Sequence, residues 1–320
     1  MRLLLLSIFL ILFVNQTLGQ QEPQFSHNMF NNMGINPGYA GLRNAICATG
    51  LYRQQWSGFI NTTQEGGNGD KLSPETYSLN VDAPVSFVRG GLALGFIQDN
   101  IGFQTSVGIN LAYSYHYAMG YGTLGIGGRI GFVDHVIDFS QFEAIQDGDP
   151  ALVAQDEQSA IMLDFALGGF YKTDENVWLG VSTTQVRQAK KEIGYAMYQN
   201  KRHYYFSGGL DYIYPGNHNY VITPSSLIKT DFNNYQVDFN TLVTYKNTVW
   251  GGLSYRVNDA IVFLLGVKLD QISIGYSYDF TTSPLGRQGR SWGSHEILLQ
   301  YCFNLEVERL NQPYKNVRFL

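Results

Sequence analysis

The chain is short of charge. Only 15% of its 320 residues are Asp, Glu, Lys or Arg, where soluble domains carry about a quarter. No Lys/Arg run occurs and the formal net charge is −5, so nothing in the composition offers an electrostatic footprint for nucleic acid. The six histidines, His27, His116, His135, His203, His218 and His295, are scattered, with no HExxH and no close His/Cys cluster. The sequence therefore predicts neither a metal site nor a cofactor. Beyond the opening residues there is no run of 18 apolar residues, which excludes a helical membrane span. Cysteine is limited to Cys47 and Cys302.

What the chain has instead is glycine (35), tyrosine (22) and phenylalanine (20), arranged with period two. Thr105 to Tyr117 shows it best. Val107, Ile109, Leu111, Tyr113, Tyr115 and Tyr117 fall on one face of a strand; Ser106, Gly108, Asn110, Ala112, Ser114 and His116 fall on the other. The pattern recurs from Ala45 onward. Strands are predicted at about 45–56, 75–84, 90–98, 105–117, 121–139, 160–172, 176–185, 203–214, 219–229, 235–245, 248–257, 260–269, 271–280 and 294–305. Fourteen is an even number, and many of the strands have the length that a tilted strand needs to cross a bilayer. A mean hydropathy near zero fits a wall whose alternate positions face a polar lumen.

The connections give a second test. The long ones, 57–74, 140–159, 186–202 and 281–293, follow strands one, five, seven and thirteen. The even-numbered ones are mostly tight. In an antiparallel meander odd and even connections lie at opposite ends, so all four long loops share one end, as outer-membrane barrels arrange their extracellular loops. Aromatics at strand ends, such as Tyr117, Tyr204, Tyr235, Tyr245 and Phe280, suit interfacial girdles. The expected fold is thus an all-β, transmembrane, up-and-down antiparallel barrel of about fourteen strands.

The ends of the chain differ from this wall. Met1 and Arg2, the apolar stretch from Leu3 to Val14, and Thr17-Leu18-Gly19 read as a signal peptide over 1–19, cleaved before Gln20. Residues 20–43 are polar, turn-rich and without a clean period; apolar Phe25, Met29, Phe30, Ile35 and Tyr39 mark an ordered segment. Fourteen strands enclose more space than wall side chains fill, so this head is a candidate periplasmic plug. The barrel is assigned to 44–305, and a periplasmic tail to 306–320.

Candidate chemistry is sparse. Gly125, Gly127, Gly128 and Gly131 loosely resemble a phosphate-binding glycine motif, but they sit in an alternating strand with no helix after them, so they read as barrel wall. Ser114 and His116 lie two apart on one strand face, which makes them the only hint of a barrel hydrolase. Asp147, Asp149, Asp156 and Glu157 make the fifth connection acidic without EF-hand spacing. Asn61-Thr62-Thr63 has the form of a glycosylation sequon. Cys47, early in the first strand, and Cys302, late in the last, share the lumen-facing parity at the barrel seam, which makes a disulfide geometrically possible.

The head carries a resemblance to a family. Gln24-Phe25-Ser26-His27-Asn28-Met29-Phe30-Asn31, Ile35-Asn36-Pro37-Gly38-Tyr39-Ala40-Gly41, Tyr52-Arg53-Gln54-Gln55-Trp56 and the closing Val317-Arg318-Phe319-Leu320 resemble the PorP/SprF family, with Gly38 where members often carry Ala. The resemblance implies an outer-membrane barrel of the type IX secretion system of Bacteroidota. It also implies partners, namely a secreted surface protein such as a gliding adhesin and periplasmic components of the machine, and no enzymatic activity. Head and tail lack strand alternation yet hold aromatic and apolar residues that a solvated linker would not need, so the expected partner contacts are Phe25, Phe30, Asn36, Pro37 and Tyr39 in the head. In the loops they are Asp147, Asp149, Arg187, Lys190, Lys191, Arg287 and Arg290, and in the tail Tyr314, Arg318 and Phe319. A passive pore and a barrel enzyme are the alternatives; conductance would favour the first, and hydrolysis lost on changing Ser114 or His116 the second.

Overall fold

The protein is described here from a computed structural model covering residues 22–59, 73–141, 157–175, 177–194, 196–287 and 291–304. The expected signal peptide, the sequon and the tail lie outside the described residues, as do Asp147, Asp149, Arg290, Tyr314, Arg318 and Phe319.

Fourteen antiparallel strands close into one barrel. They are β1 (Ala45–Gln54), β2 (Glu75–Val85), β3 (Gly90–Ile101), β4 (Gln104–Met119), β5 (Gly122–Asp138), β6 (Glu157–Thr173) and β7 (Val177–Thr184). Then come β8 (His203–Leu210), β9 (Tyr220–Thr230), β10 (Tyr235–Tyr245), β11 (Val249–Arg256), β12 (Ala260–Leu269), β13 (Ile272–Thr281) and β14 (Ser294–Asn304). Each pairs with its sequence neighbours, and β14 returns to β1 with Ala45 opposite Asn304 and Gln54 opposite His295. Closure leaves no hydrogen-bonding edge at the seam, the condition a sheet must meet in lipid.

The period-two reading sets the register. On β4, Ile109, Leu111 and Tyr117 are each more than half exposed on the outside, while Ala112 and Ser114 are buried inside. A one-residue slip would turn Asn110 and His116 to the lipid and the aromatics inward, so the register is strongly specified. At the seam the alternation places Cys47 opposite Cys302, and the two form a disulfide with a Cα separation of 4.1 Å.

The four long connections share one end of the barrel, hereafter the loop end; β1 begins and β14 ends at the other, the turn end. Three details depart from the sequence reading. The connection 186–202 contains a two-stranded hairpin, Lys190–Ile193 with Ala196–Gln199. The eighth strand is interrupted at Asp211 and resumes over Tyr212–Ile213, still paired to β9. Trp56, expected as the last residue of the first strand, lies beyond its end in a left-handed conformation, φ 52°. In the tight β9–β10 turn, Asp231 Oδ1 accepts the backbone N–H of Asn233 (2.9 Å) and Asn234 (2.6 Å). Partial burial alone would raise that carboxyl, but the two N–H donors outweigh it and hold it below the usual carboxylate range.

Candidate functional site: a lumen closed by the head segment

The head segment lies inside the barrel. Three short turns, Asn28–Phe30, Asn32–Ile35 and Pro37–Tyr39, follow one another across the lumen. Its apolar residues find apolar wall. Phe25, Met29 and Phe30 pack on a cluster of Leu51, Leu242, Trp250, Val262, Leu264 and Leu298, and Met33, Ala40 and Tyr39 pack on Ala93 and Ala112. The segment also has a direction. Glu22 sits at the loop end, where Thr184 Oγ1 donates to Glu22 Oε1 (2.7 Å), the Tyr205 hydroxyl donates to the other oxygen, and Lys229 Nζ donates to the Glu22 carbonyl (2.6 Å). Gly41 and Arg43 sit at the turn end, where both donate to Asp82. The chain therefore threads the lumen from loop end to turn end before entering β1.

Just inside the loop end, the head is held by buried charge. Arg53 on β1 donates to Asp279 Oδ2 (2.7 Å) and Glu296 Oε2 (3.1 Å); Arg256 on β11 donates to Asp279 Oδ2 (3.1 Å) and Asp238 Oδ2 (3.4 Å). All five side chains are buried. Ser26 fills the gap between them, donating from Oγ to Asp279 Oδ1 (2.6 Å) and accepting from Arg53 Nη1 (2.8 Å). The backbone N–H groups of Ser26 and His27 donate to Glu296 Oε2 (2.7 Å) and Oε1 (2.8 Å), and His27 Nδ1 lies 2.8 Å from Oε1. Buried ions are tolerated only when their remaining lone pairs and protons are met. Here the head supplies several of the missing partners.

Further along, the head is held by shape. Asn36 caps the Pro37–Tyr39 turn, its Oδ1 accepting the Gly38 N–H (2.9 Å), with Pro37 in the first-turn position that suits a residue without an N–H. Its Nδ2 donates to the Gly169 carbonyl on β6 (3.0 Å). The wall beneath is glycine. A Cβ on Gly125 would lie 2.1 Å from the Gly38 carbonyl oxygen, one on Gly127 2.4 Å from the Pro37 oxygen, and one on Gly168 2.1 Å from Asn36 Oδ1. These glycines are wall, as the sequence implied, and they are glycine because another backbone comes this close.

Several polar side chains spend themselves on head carbonyls. Arg129 Nη1 donates to Gly34 O (2.8 Å), Ser182 Oγ to Ile35 O (2.8 Å) and Ser114 Oγ to Gly38 O (2.9 Å), and His116 Nε2 lies 2.8 Å from Ala40 O. Ser114 and His116 thus share a face as expected, yet each engages the head. Two sizeable cavities remain beside the head among the described residues. A cavity of about 470 Å³ opens at the turn end between Phe30, Tyr39, Arg43, Lys172, Trp178 and Lys268. Another of about 390 Å³ opens at the loop end among Asn31, Asp99, Arg129, His135, Asp164 and Tyr198.

Of the residues expected to contact partners, Phe25, Phe30, Asn36, Pro37 and Tyr39 all lie in this threaded segment, against the wall. Arg187, Lys190 and Lys191 are exposed on the β7–β8 connection, and Arg287 ends a short helix, Pro284–Arg287, in the β13–β14 connection. The sequence reading missed the buried network. Its signal was the inward parity of Arg53, Asp279 and Glu296 on three strands, each too polar for a wall position with nothing inside to meet it.

Residues 17–301 match the family described as Type IX secretion system membrane protein PorP/SprF. No curated protein matches the chain. Among solved structures, the TodX deltaS2S3 mutant monoaromatic hydrocarbon channel aligns at 12% identity and TM-score 0.48, covering 86% of this chain and 94% of that one. A Pseudomonas aeruginosa FadL homologue aligns at 12% identity and TM-score 0.44, covering 81% and 90%. The Acinetobacter baumannii outer membrane protein Omp33 aligns at 8% identity and TM-score 0.44, covering 83% and 100%.

Proposed function

The chain belongs to the PorP/SprF family of type IX secretion system membrane proteins and is an outer-membrane β-barrel; from that premise we propose that it assists the export or anchoring of a surface protein and is not a diffusion pore. The observation that carries this reading is the head segment, which crosses the lumen and bonds to wall strands on every side. A pore selects solutes through an open channel, whereas this barrel spends its inward polar groups on its own chain. In the proposed arrangement the loop end is extracellular and meets the exported protein through the charged connections, including Arg187, Lys190 and Lys191. The turn end is periplasmic, and the tail, with Tyr314, Arg318 and Phe319, reaches toward periplasmic components of the machine.

Two measurements test this. Tags inserted at Gly67, Gly148 or Gln288 label on intact cells if the loop end is outside; labelling that requires permeabilised outer membranes reverses the orientation. Deletion of 306–320, with the barrel still inserted and heat-modifiable, abolishes surface display of an exported protein while leaving permeability unchanged. Normal display in that strain removes the role of the tail.

A further inference from the structure

Among the described residues, the longest stretch of the wall with a strand partner on one side only is the loop-end half of β6. Over its whole length, Glu157–Thr173, β6 is paired on one side to β5. On the other side β7 reaches only from Leu167 to Lys172, and a single further bond, Val186 N–H to Phe165 O (2.9 Å), extends the contact. Among the described residues, Glu157–Asp164 therefore has a strand partner on one side only, roughly 27 Å of open edge. An edge of this length is a template for another chain, and lipid cannot satisfy it.

The cause is local. Had the β7–β8 hairpin continued upright it would have covered β6. Instead the chain turns through left-handed conformations at Gln185 (φ 53°) and Gln188 (φ 49°). The hairpin tip then folds inward, burying Ile193 against Ala160 and Met162 on the lumen face of β6. The inner face is thereby covered while no described residue pairs with the edge, and Ile161 is 57% exposed on the outer side. Beside it stand three exposed cations, Arg187, next to the last hydrogen-bonded residue, Lys190 and Lys191, against two exposed carboxylates, Glu192 on the same small hairpin and Glu157 at the start of the edge.

We propose that this edge is where an extended segment of the exported polypeptide adds as a strand, its backbone pairing with Glu157–Asp164 and its acidic side chains meeting Arg187, Lys190 and Lys191. Strand addition reads backbone first and side chains second, which suits a surface that must engage a chain before it folds. The inference deepens the export reading and takes the identity of the partner from it.

The experiment places benzoyl-phenylalanine at Ile161 or Leu163 of the full-length protein in cells, with Leu253, an exposed position on fully paired β11, as the comparison site. Irradiation at 161 and 163 yields an adduct with a polypeptide that external protease digests on intact cells, and position 253 yields none. Combining Arg187→Glu, Lys190→Glu and Lys191→Glu lowers that adduct several-fold while heat-modifiability is kept. Equal adducts at all three positions, or none at 161 and 163 in a strain whose surface display depends on this protein, overturn the edge site and leave the export reading standing. An adduct at 161 and 163 that survives in a strain whose display is independent of the protein keeps the edge site and removes the export reading.

Discussion

The head segment is held in two places by opposite means. Around Ser26 and His27 the wall contributes five buried charged side chains and the head completes their hydrogen bonds. Around Asn36 to Gly38 the wall contributes the absence of side chains, and the two backbones approach until an added Cβ would stand within 2.4 Å of an oxygen. The first grip is specific but has a high desolvation cost; breaking it by removing one partner strands a charge. The second combines neutral hydrogen bonds, Asn36 to Gly169 O and Ser114 to Gly38 O, with close packing that an added side chain spoils. A single short segment thus uses electrostatics where it crosses the charged side of the lumen and steric fit where it crosses the glycine side.

Four measurements separate the two grips. The largest effect is expected from Arg53→Met, which takes the buried guanidinium away from Glu296 and leaves Asp279 with Arg256 alone. The loss is about 3–5 kcal/mol, read as a lower heat-modifiability midpoint; an unchanged midpoint would show that the charged grip contributes little. Replacing both cysteines, Cys47→Ser with Cys302→Ser, loosens the seam without touching either grip and costs about 2–4 kcal/mol. That variant keeps the non-conducting state in planar bilayers if the head alone closes the lumen. Gly127→Val drives a side chain into the Pro37 carbonyl at a cost of about 1–3 kcal/mol. Single-channel current should appear because the Asn36–Gly38 stretch is displaced, and a closed channel would place the closure with the charged grip. The smallest change is Ser114→Ala, which removes one donor to Gly38 O at about 1 kcal/mol. Midpoint and conductance should shift slightly in the direction of Gly127→Val, whereas loss of a hydrolytic activity in this variant would revive the enzyme alternative.

Much of this molecule was legible before its structure was known, for identifiable reasons. Strand positions follow from a period that lipid on one side and a polar lumen on the other impose at every residue, so Ile109, Leu111 and Ser114 declared their faces. Parity and strand count brought Cys47 and Cys302 to the seam and made their disulfide possible; the bond itself is seen only in the structure. The grips were less legible. Arg53, Asp279 and Glu296 could be assigned inward, but which head residue each meets depends on barrel stagger, which period-two patterning does not encode. The glycines of β5 looked permissive; only the approach of Pro37 and Gly38 shows why a side chain is excluded. The inward fold of the small hairpin in the β7–β8 connection was hidden because its strands, Lys190–Ile193 and Ala196–Gln199, are four residues each and mixed in polarity.

The direction of threading has a mechanical consequence. The trailing end of the head runs at Ala45 into β1, which is hydrogen-bonded on both sides and cross-linked at Cys47. A force applied at Glu22 from the loop end pulls against that covalent anchor and tautens the segment across the lumen. A force from the turn end meets the contacts one at a time, Gly41 with Asp82 first, then the glycine grip, then the charged grip, then Glu22 with Lys229. The two directions thus load the same contacts in opposite order, and only traction from the loop end finishes on the covalent junction with β1.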